Sequence, residues 1–235
     1  MTDATPSTEQ QQAKNVKERQ FKGLSLSERK QARREKLIEA GIEAYGSHGF
    51  FSVTVKDICQ EAKLTERYFY ESFKKSEQLF QTIFLKLIDE LQQNVMQAIM
   101  QASTDPKKMI EAGLIALLMT LKNNPRMARI IYIDAMLVQE LHNQATIHET
   151  MSRFDRMIHA FVMLMMPNID RSEREISMIA TGLNGYVTQI AIRWVMSDYK
   201  QPMEEVLSSC SAVFLALLEV FSKKAPQQTQ NERKK

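Results

Sequence analysis

The side chains best suited to specific chemistry stand close together near residue 70. Four polar residues fall in the first turns of one short helical pattern: Glu66, Arg67, Tyr68 and Tyr70. An arginine can donate two hydrogen bonds to guanine, a glutamate can accept one from cytosine, and a tyrosine can contact a base or the thymine methyl group. The pattern therefore predicts a helix that presents hydrogen-bonding groups to base edges from its N-terminal half.

A second short helical pattern stands just before this one. Thr54 and Asp57 have the spacing of a capping box, and Val55, Ile58 and Cys59 follow on one apolar face. Two short helices joined by a tight turn predict a helix-turn-helix, whose second helix fits a major groove about 12 Å wide. An ordinary helical hairpin with a solvated charged face is the alternative that this segment alone leaves open.

Positive charge and hydroxyl groups surround the predicted reading helix. Residues 14–36 carry nine Lys or Arg against three Glu, a net charge of +6, although the whole chain carries only +3. Such groups bind the phosphate backbone and fix the register of a protein on DNA. The candidate phosphate contacts are Thr54, Thr65, Tyr70, Lys74, Lys75, Arg33 and Arg34.

The segment from about residue 30 to 85 resembles the DNA-binding domain of the TetR family of bacterial transcriptional regulators. The resemblance is carried by RREKLIEAGIEAYGSHGFFS followed by VTVKDICQEAKLTERYFYESFKKSEQLF, with Tyr70, Phe73, Glu77 and Leu79 at the family's spacing. It implies a dimeric DNA-binding regulator, more often a repressor, with a ligand-binding domain after the reading head. Lys63 stands where the family commonly has Gly, and Glu71 where it often has a basic or aromatic residue.

Caps and prolines predict an all-α chain of about nine helices. Capping boxes begin helices at Ser25 and Ser172, prolines begin others at Pro106 and Pro125, and the latter helix is predicted to reach about His142. The predicted domains are a flexible basic arm (1–24), the helix-turn-helix domain (25–80), a helical ligand-binding and dimerisation domain (81–223) and a basic tail (224–235).

The second domain contains polar residues inside apolar runs and many methionines, which suit an adaptable apolar pocket. The candidate ligand contacts are Phe84, Tyr132, Asp134, Met136, Phe161, Met165, Asn184, Gln189 and Arg193. Structural hydrogen bonds, or an ion pair between Asp134 and Arg193, are the competing interpretation. We expect an apolar or amphipathic effector to favour one conformation, and the helix from Ser76 to transmit the change to the reading heads.

The last two predicted helices are apolar on more than one side, so each needs a second partner beyond its own domain. Gly182 and Gly185 would permit close approach of another backbone. The resemblance implies a four-helix dimer interface made by these helices. Its candidate residues are Ile179, Leu183, Val187, Ile190, Trp194, Val213 and Leu217.

Other classes of protein find little support in the sequence. The four histidines lack a metal-binding spacing such as HExxH, and neither a phosphate-cradling Gly-rich loop nor a nucleophile elbow is present. We therefore expect no catalytic site, no metal and no cofactor. Two cysteines and the lack of an 18-residue apolar run indicate a cytoplasmic protein that does not bind a membrane. The expected partners are double-stranded DNA, a small-molecule effector and a second copy of the chain, and a helical carrier of lipid-like molecules or an adaptor without DNA binding is the alternative.

Overall fold

The computed structural model describes residues 25–102, 104–138, 145–166 and 171–222, and within these ranges the protein is all-α, as predicted. The predicted basic arm and basic tail lie outside the described residues. Across the same ranges, each helix is too short or too polar to cross a lipid bilayer. The helices are α1 (Leu26–His48), α2 (Val55–Glu61), α3 (Glu66–Ser72), α4 (Ser76–Gln101), α5 (Pro106–Asn123), α6 (beginning with Pro125–Arg129), α7 (Ala145–Met165), α8 (Glu173–Met196) and α9 (Met203–Ser222).

The predicted helix starts are confirmed by their hydrogen bonds. Capping boxes begin α1 at Ser25, α2 at Thr54 and α8 at Ser172. The Asp105 side chain accepts the Lys107 backbone N–H at 2.9 Å at the start of α5, which has Pro106 as its first residue. These contacts satisfy backbone N–H groups that have no partner inside the helix, so they fix where each helix begins.

The first three helices enclose a small aromatic core. Phe69 and Phe73 of α3 are almost fully buried, and the rings of Tyr45 and Phe50 lie 5.3 Å apart between centroids. Phe80, in the second turn of α4, lies edge-on to Phe50 at 5.0 Å. The start of α4 thus completes the core of the head formed by α1, α2 and α3. The 26 residues of α4 extend roughly 40 Å and carry the chain into the second domain.

Helix α6 connects the head to the second domain and departs from the prediction. After Pro125–Arg129 it continues as a π-helical turn, Ile130–Asp134, and ends with Ala135–Leu137. Val138 has an extended backbone (φ −84°, ψ 99°), so the helix does not reach His142, which lies outside the described residues. One insertion in the hydrogen-bond ladder produces a π turn, and helical periodicity in sequence does not reveal such an insertion.

Candidate nucleic-acid interface and apolar cavity

The turn between α2 and α3 is held by backbone hydrogen bonds. The Lys63 N–H donates to the Gln60 carbonyl at 3.1 Å, and the Leu64 N–H donates to the Cys59 carbonyl at 2.9 Å. Lys63 adopts φ +55°, the left-handed conformation that costs a residue with a Cβ about 1–2 kcal/mol. An exposed lysine therefore occupies a turn position that favours glycine, and it adds a positive charge to this end of the head.

Helix α3 presents its predicted polar residues outward. Glu66, Arg67 and Tyr70 are exposed, and 83% of the Arg67 side chain is accessible, while Tyr68 is half-buried. Phe69 on the opposite side is fully buried, so the core fixes the rotation of the helix about its axis. The outward face can consequently approach a groove without any change in the head.

Glu71 organises the arginines on this face. The Arg67 Nε donates to its carboxylate at 3.0 Å, and the Arg33 Nη2 lies 4.0 Å from its other oxygen. The Arg33 guanidinium also lies 4.4 Å from the centre of the Tyr68 ring, a cation–π distance. A carboxylate beside the reading residues neutralises part of the charge that would otherwise attract any phosphate backbone.

Arg34 packs against other elements of the head. Its guanidinium lies 4.6 Å from the centre of the Phe73 ring, and its Nη2 donates to the Thr82 hydroxyl at 3.5 Å. The side chain therefore joins α1 to α3 and α4 inside the head. Arg34 is half-buried like Arg33, and its assignment as a phosphate contact stays a prediction.

The remaining phosphate candidates differ in availability. The Thr54 hydroxyl donates to the Asp57 carboxylate at 2.7 Å and is occupied by the α2 cap. Thr65 precedes α3 without capping it, and its hydroxyl makes no hydrogen bond to any described residue. Lys74 and Lys75 are exposed just after α3, with the Lys75 ammonium 4.0 Å from Glu77. Thr65, Lys74 and Lys75 are thus better placed to meet phosphate than Thr54.

We predict that Glu71→Gln increases affinity for DNA of any sequence severalfold at low salt. The change removes the charge that holds Arg67 and Arg33, and each additional phosphate contact should steepen the dependence of log affinity on log salt by about 1. Fluorescence-anisotropy titrations of a random duplex at several salt concentrations measure both effects. Glu90→Gln on α4, which makes the same chemical change far from the head, should leave the titrations unchanged.

The second domain encloses an apolar cavity of about 220 Å³, measured as the space open to the centre of a water molecule. One water needs roughly 10–15 Å³ of such space, so the cavity is far larger than a packing defect. Its 22 described lining residues come from six helices, and none of them is charged. They are Phe84, Ile88, Val95 and Ile99 of α4; Met109, Ile110, Gly113, Leu114 and Leu117 of α5; Ile131, Tyr132, Ala135 and Met136 of α6; Phe154, Met157, Ile158 and Phe161 of α7; Asn184, Val187, Thr188 and Ile192 of α8; and Phe214 of α9.

The cavity brings together five of the predicted ligand residues: Phe84, Tyr132, Met136, Phe161 and Asn184. Met165, Asp134, Gln189 and Arg193 are not among the lining residues, and the last two are exposed on the outer side of α8. Thr188 was missed, although it stands one helical turn after Asn184 and so shares its face. The four-residue spacing from Asn184 was the sequence signal that could have identified Thr188.

Asp134 is a buried carboxylate in the π turn of α6, between the cavity and the head. Its side chain is almost fully buried, 3.7 Å from the Arg129 Nε, which corrects the alternative pairing with Arg193. Burial raises the pKa of this carboxyl group, and the Arg129 guanidinium and the Phe50 backbone N–H oppose that rise. The π turn of α6, which carries Asp134, also lies against α1 of the head.

The predicted dimer residues divide into two groups. Leu183, Val187 and Trp194 are buried inside the protomer, where Trp194 donates from Nε1 to the Gln201 carbonyl at 2.9 Å, so their assignment to a partner-facing surface is corrected. The others are half-buried at the edges of α8 and α9: Ile179, Ile190, Val213 and Leu217. The exposed side of α8 is instead lined by Met178, Gly182, Gly185, Gln189, Arg193 and Met196.

Comparisons with known proteins agree with this geometry. The sequence model described as bacterial regulatory proteins, tetR family, matches residues 37–83, which include the whole helix-turn-helix. Residues 37–83 are therefore similar to the N-terminal segment of bacterial regulators of the tetR family. A comparison with curated protein sequences finds no match.

Solved structures of TetR-like regulators share the fold over most of the chain. The fatty acid degradation regulator FadR from Bacillus halodurans is 15% identical, with a TM-score of 0.66 over 78% of this chain and 94% of its own. FadR from Bacillus subtilis, in complex with stearoyl-CoA, is 16% identical, with a TM-score of 0.65 over 77% and 97%. A transcriptional regulator from Rhodococcus sp. Rha1 is 17% identical, with a TM-score of 0.65 over 80% and 96%. The described part of the chain thus has the fold of TetR-like transcriptional regulators.

Proposed function

We propose that the protein is a ligand-responsive repressor that binds a palindromic operator as a homodimer and is released by a small apolar or amphipathic effector. The observation that supports this most directly is α6, which contacts the reading head at one end and lines the apolar cavity at the other. A protein in which one helix joins both sites can convert occupancy of the cavity into a change at the DNA.

The reading surface in this proposal is the outward face of α3. Arg67 donates to guanine, Glu66 accepts from cytosine, and Tyr68 and Tyr70 contact a base or the backbone, while Thr65, Lys74 and Lys75 bind phosphate. Arg33 stacks on Tyr68 and is half-buried at the same surface, so the edge of its guanidinium can still bind phosphate. Two heads related by a twofold axis would read two inverted half-sites.

The exposed side of α8 is the surface we assign to the dimer. A Cβ added at Gly182 or Gly185 would meet no heavy atom of the protomer within 4 Å, so nothing inside the protomer requires glycine there. Glycine within a helix costs about 0.5–1 kcal/mol relative to alanine. A partner helix lying close against this side accounts for both glycines, and Ala212 and Ala216 on the exposed side of α9 would extend the same surface.

The effector in this proposal occupies the cavity between α4 and α9. The uncharged lining suits a hydrocarbon body, and the similar fold of the Bacillus subtilis regulator solved with stearoyl-CoA supports an acyl chain as that body. Met136 lines the cavity and is 55% exposed, so it stands where the cavity meets the surface. A ligand entering there would displace the end of α6 first.

The connection between cavity and head runs through the contacts of α6 with α1. The Arg126 guanidinium lies 2.7 Å from Glu43 and donates from Nε to the Ser47 hydroxyl at 3.1 Å. A Cβ at Gly46 would lie 2.4 Å from the Arg126 Cβ, so the two backbones are in close contact. Movement of α6 by an effector must therefore move α1 or break these contacts. We add this route to the one along α4.

We predict that Asp134→Asn weakens the effect of the effector on operator affinity while each ligand alone still binds within about threefold. The substitution removes the ion pair with Arg129 and alters the contact with Phe50, and coupling energies of this kind amount to about 1–3 kcal/mol. The raised pKa of Asp134 means that its charge costs stability above that pKa, so the neutral asparagine should fold at least as stably at neutral pH.

The measurement for this variant is operator affinity with and without a saturating effector. Asp89→Asn is the matched control, because it makes the same change in an ion pair between Asp89 of α4 and Arg153 of α7. Unchanged coupling in Asp134→Asn would exclude the π turn from the route.

A mobility-shift assay against promoter fragments from the protein's own genomic neighbourhood tests the function as a whole. We expect a retarded protein–DNA complex that dissociates when an apolar compound is added. Binding of that compound by a protein that never retards any fragment would favour the helical carrier instead.

A further inference from the structure

The chemistry of the cavity identifies a class of effector, an inference that rests on the proposed function. Only three of the 22 lining residues carry a side-chain oxygen or nitrogen: Tyr132, Asn184 and Thr188. These few polar atoms are the ones that can distinguish one apolar ligand from another, because hydrocarbon contacts are not directional.

Tyr132 is the most deeply buried of these three polar residues. It is 9% exposed and lines the cavity from α6, and its hydroxyl makes no hydrogen bond to any residue within the described ranges. Burial raises the pKa of the phenol, so the group stays neutral and keeps its proton as a donor. A hydroxyl that lines an apolar cavity has few hydrogen-bond partners there, and a ligand that accepts its hydrogen bond would supply one.

Asn184 is already engaged at the cavity wall. Its Nδ2 donates to Asp155 at 2.7 Å, and the Thr181 hydroxyl donates to the same carboxylate at 2.8 Å. The amide is thereby held in one orientation from outside the cavity. Asp155 itself is not among the lining residues, so the wall stays uncharged.

An anionic ligand group would find no counter-ion within the cavity. No Lys, Arg or His occurs among the described lining residues. Transfer of a carboxylate from water into such a site without a cation carries a penalty large enough to weaken binding by at least about a hundredfold. The neutral form of the same acid does not carry this desolvation penalty.

We infer that the effector is an uncharged molecule whose apolar body carries one hydrogen-bond-accepting oxygen, such as a ketone or ester carbonyl, which the Tyr132 hydroxyl binds. The ligand's oxygen lies inside the cavity, near α6, and its hydrocarbon parts fill the space towards α5 and α7. This hydrogen bond links the ligand to α6, the helix that contacts the head. The Tyr132 hydroxyl would therefore both select the ligand and couple its binding to the position of α6.

Three probes with seven carbon atoms test this class: dipropyl ketone, heptane and heptanoate. Their affinities follow from calorimetric titration or from the shift that each causes in thermal unfolding. Tyr132→Phe should weaken ketone binding about 2- to 10-fold, the range for loss of one net hydrogen bond, and leave heptane binding unchanged or stronger. Thr188→Val, which removes the other cavity hydroxyl, should leave the ketone affinity unchanged.

The response of heptanoate to pH gives an independent readout. Because only the neutral acid is accepted, its apparent affinity should rise about tenfold for each unit that the pH falls towards the pKa of the acid. The ketone affinity should not change over the same range.

The outcomes separate this inference from the proposed function. Equal binding of heptanoate and ketone at pH 8, or loss of ketone binding in Thr188→Val but not in Tyr132→Phe, overturns the ligand class and leaves the cavity as an effector site. Failure of both heptane and ketone to bind at all overturns the effector site itself.

Discussion

Arg67→Ala is expected to remove most of the protein's preference for its operator over random DNA. A bidentate contact from arginine to guanine contributes about 1–3 kcal/mol of discrimination, and a dimer on a palindrome makes it twice, so the loss is roughly 30-fold to 10⁴-fold. The Arg67 side chain is 83% exposed and forms an ion pair with Glu71, so the head should keep its stability. Competition titrations with operator and random duplexes measure the ratio.

Lys75→Ala provides the contrast for this prediction. Its ammonium is exposed after α3 and can meet only the backbone, so its loss should weaken operator and random duplexes alike and reduce the salt dependence of both. If both variants lost affinity equally for the two duplexes, Arg67 would be a phosphate contact and α3 would not read bases in the proposed way.

Gly185→Arg should convert the protein from dimer to monomer and lower operator affinity by about 10²- to 10⁴-fold. An arginine at the centre of the exposed side of α8 would prevent a partner helix from approaching, and two linked half-sites bind more tightly than one by about that factor. Nothing in the protomer lies within 4 Å of the new Cβ, so the monomer should still fold. Sedimentation velocity and a mobility shift measure the two effects.

Two further variants control for the charge and for the helix. Gly185→Ala adds only a methyl group and should keep the dimer, with a more stable helix. Gln93→Arg adds the same side chain to an exposed position of α4 and should also remain dimeric. A Gly185→Arg protein that stays dimeric would place the dimer surface elsewhere.

The sequence predicted the elements whose determinants are local. A capping box needs only residues three apart, so the starts of α1, α2 and α8 at Ser25, Thr54 and Ser172 were predictable. The outward face of α3 followed from Phe69 and Phe73, which are four residues apart and pack inward. The family resemblance added the order of the helices.

Features that depend on which elements meet in space were not predictable. Trp194 belongs to an apolar stripe of α8, and periodicity alone does not say whether that stripe faces the protomer or a partner. Asp134 pairs with Arg129, five residues away, because the π turn changes the rotation of α6 between them. The ion pair of Arg67 with Glu71 is a local contact within α3. Its effect on DNA affinity also involves Arg33, which lies near the same carboxylate but belongs to another helix.

Selection of bound sequences from a random pool of duplexes tests the central claim most directly. We predict enrichment of an inverted repeat whose half-site centres lie one helical turn, about 34–36 Å, or a small multiple of it apart, as two copies of α3 on one face of DNA require. Enrichment of a single half-site, of a direct repeat, or of no sequence at all would contradict it.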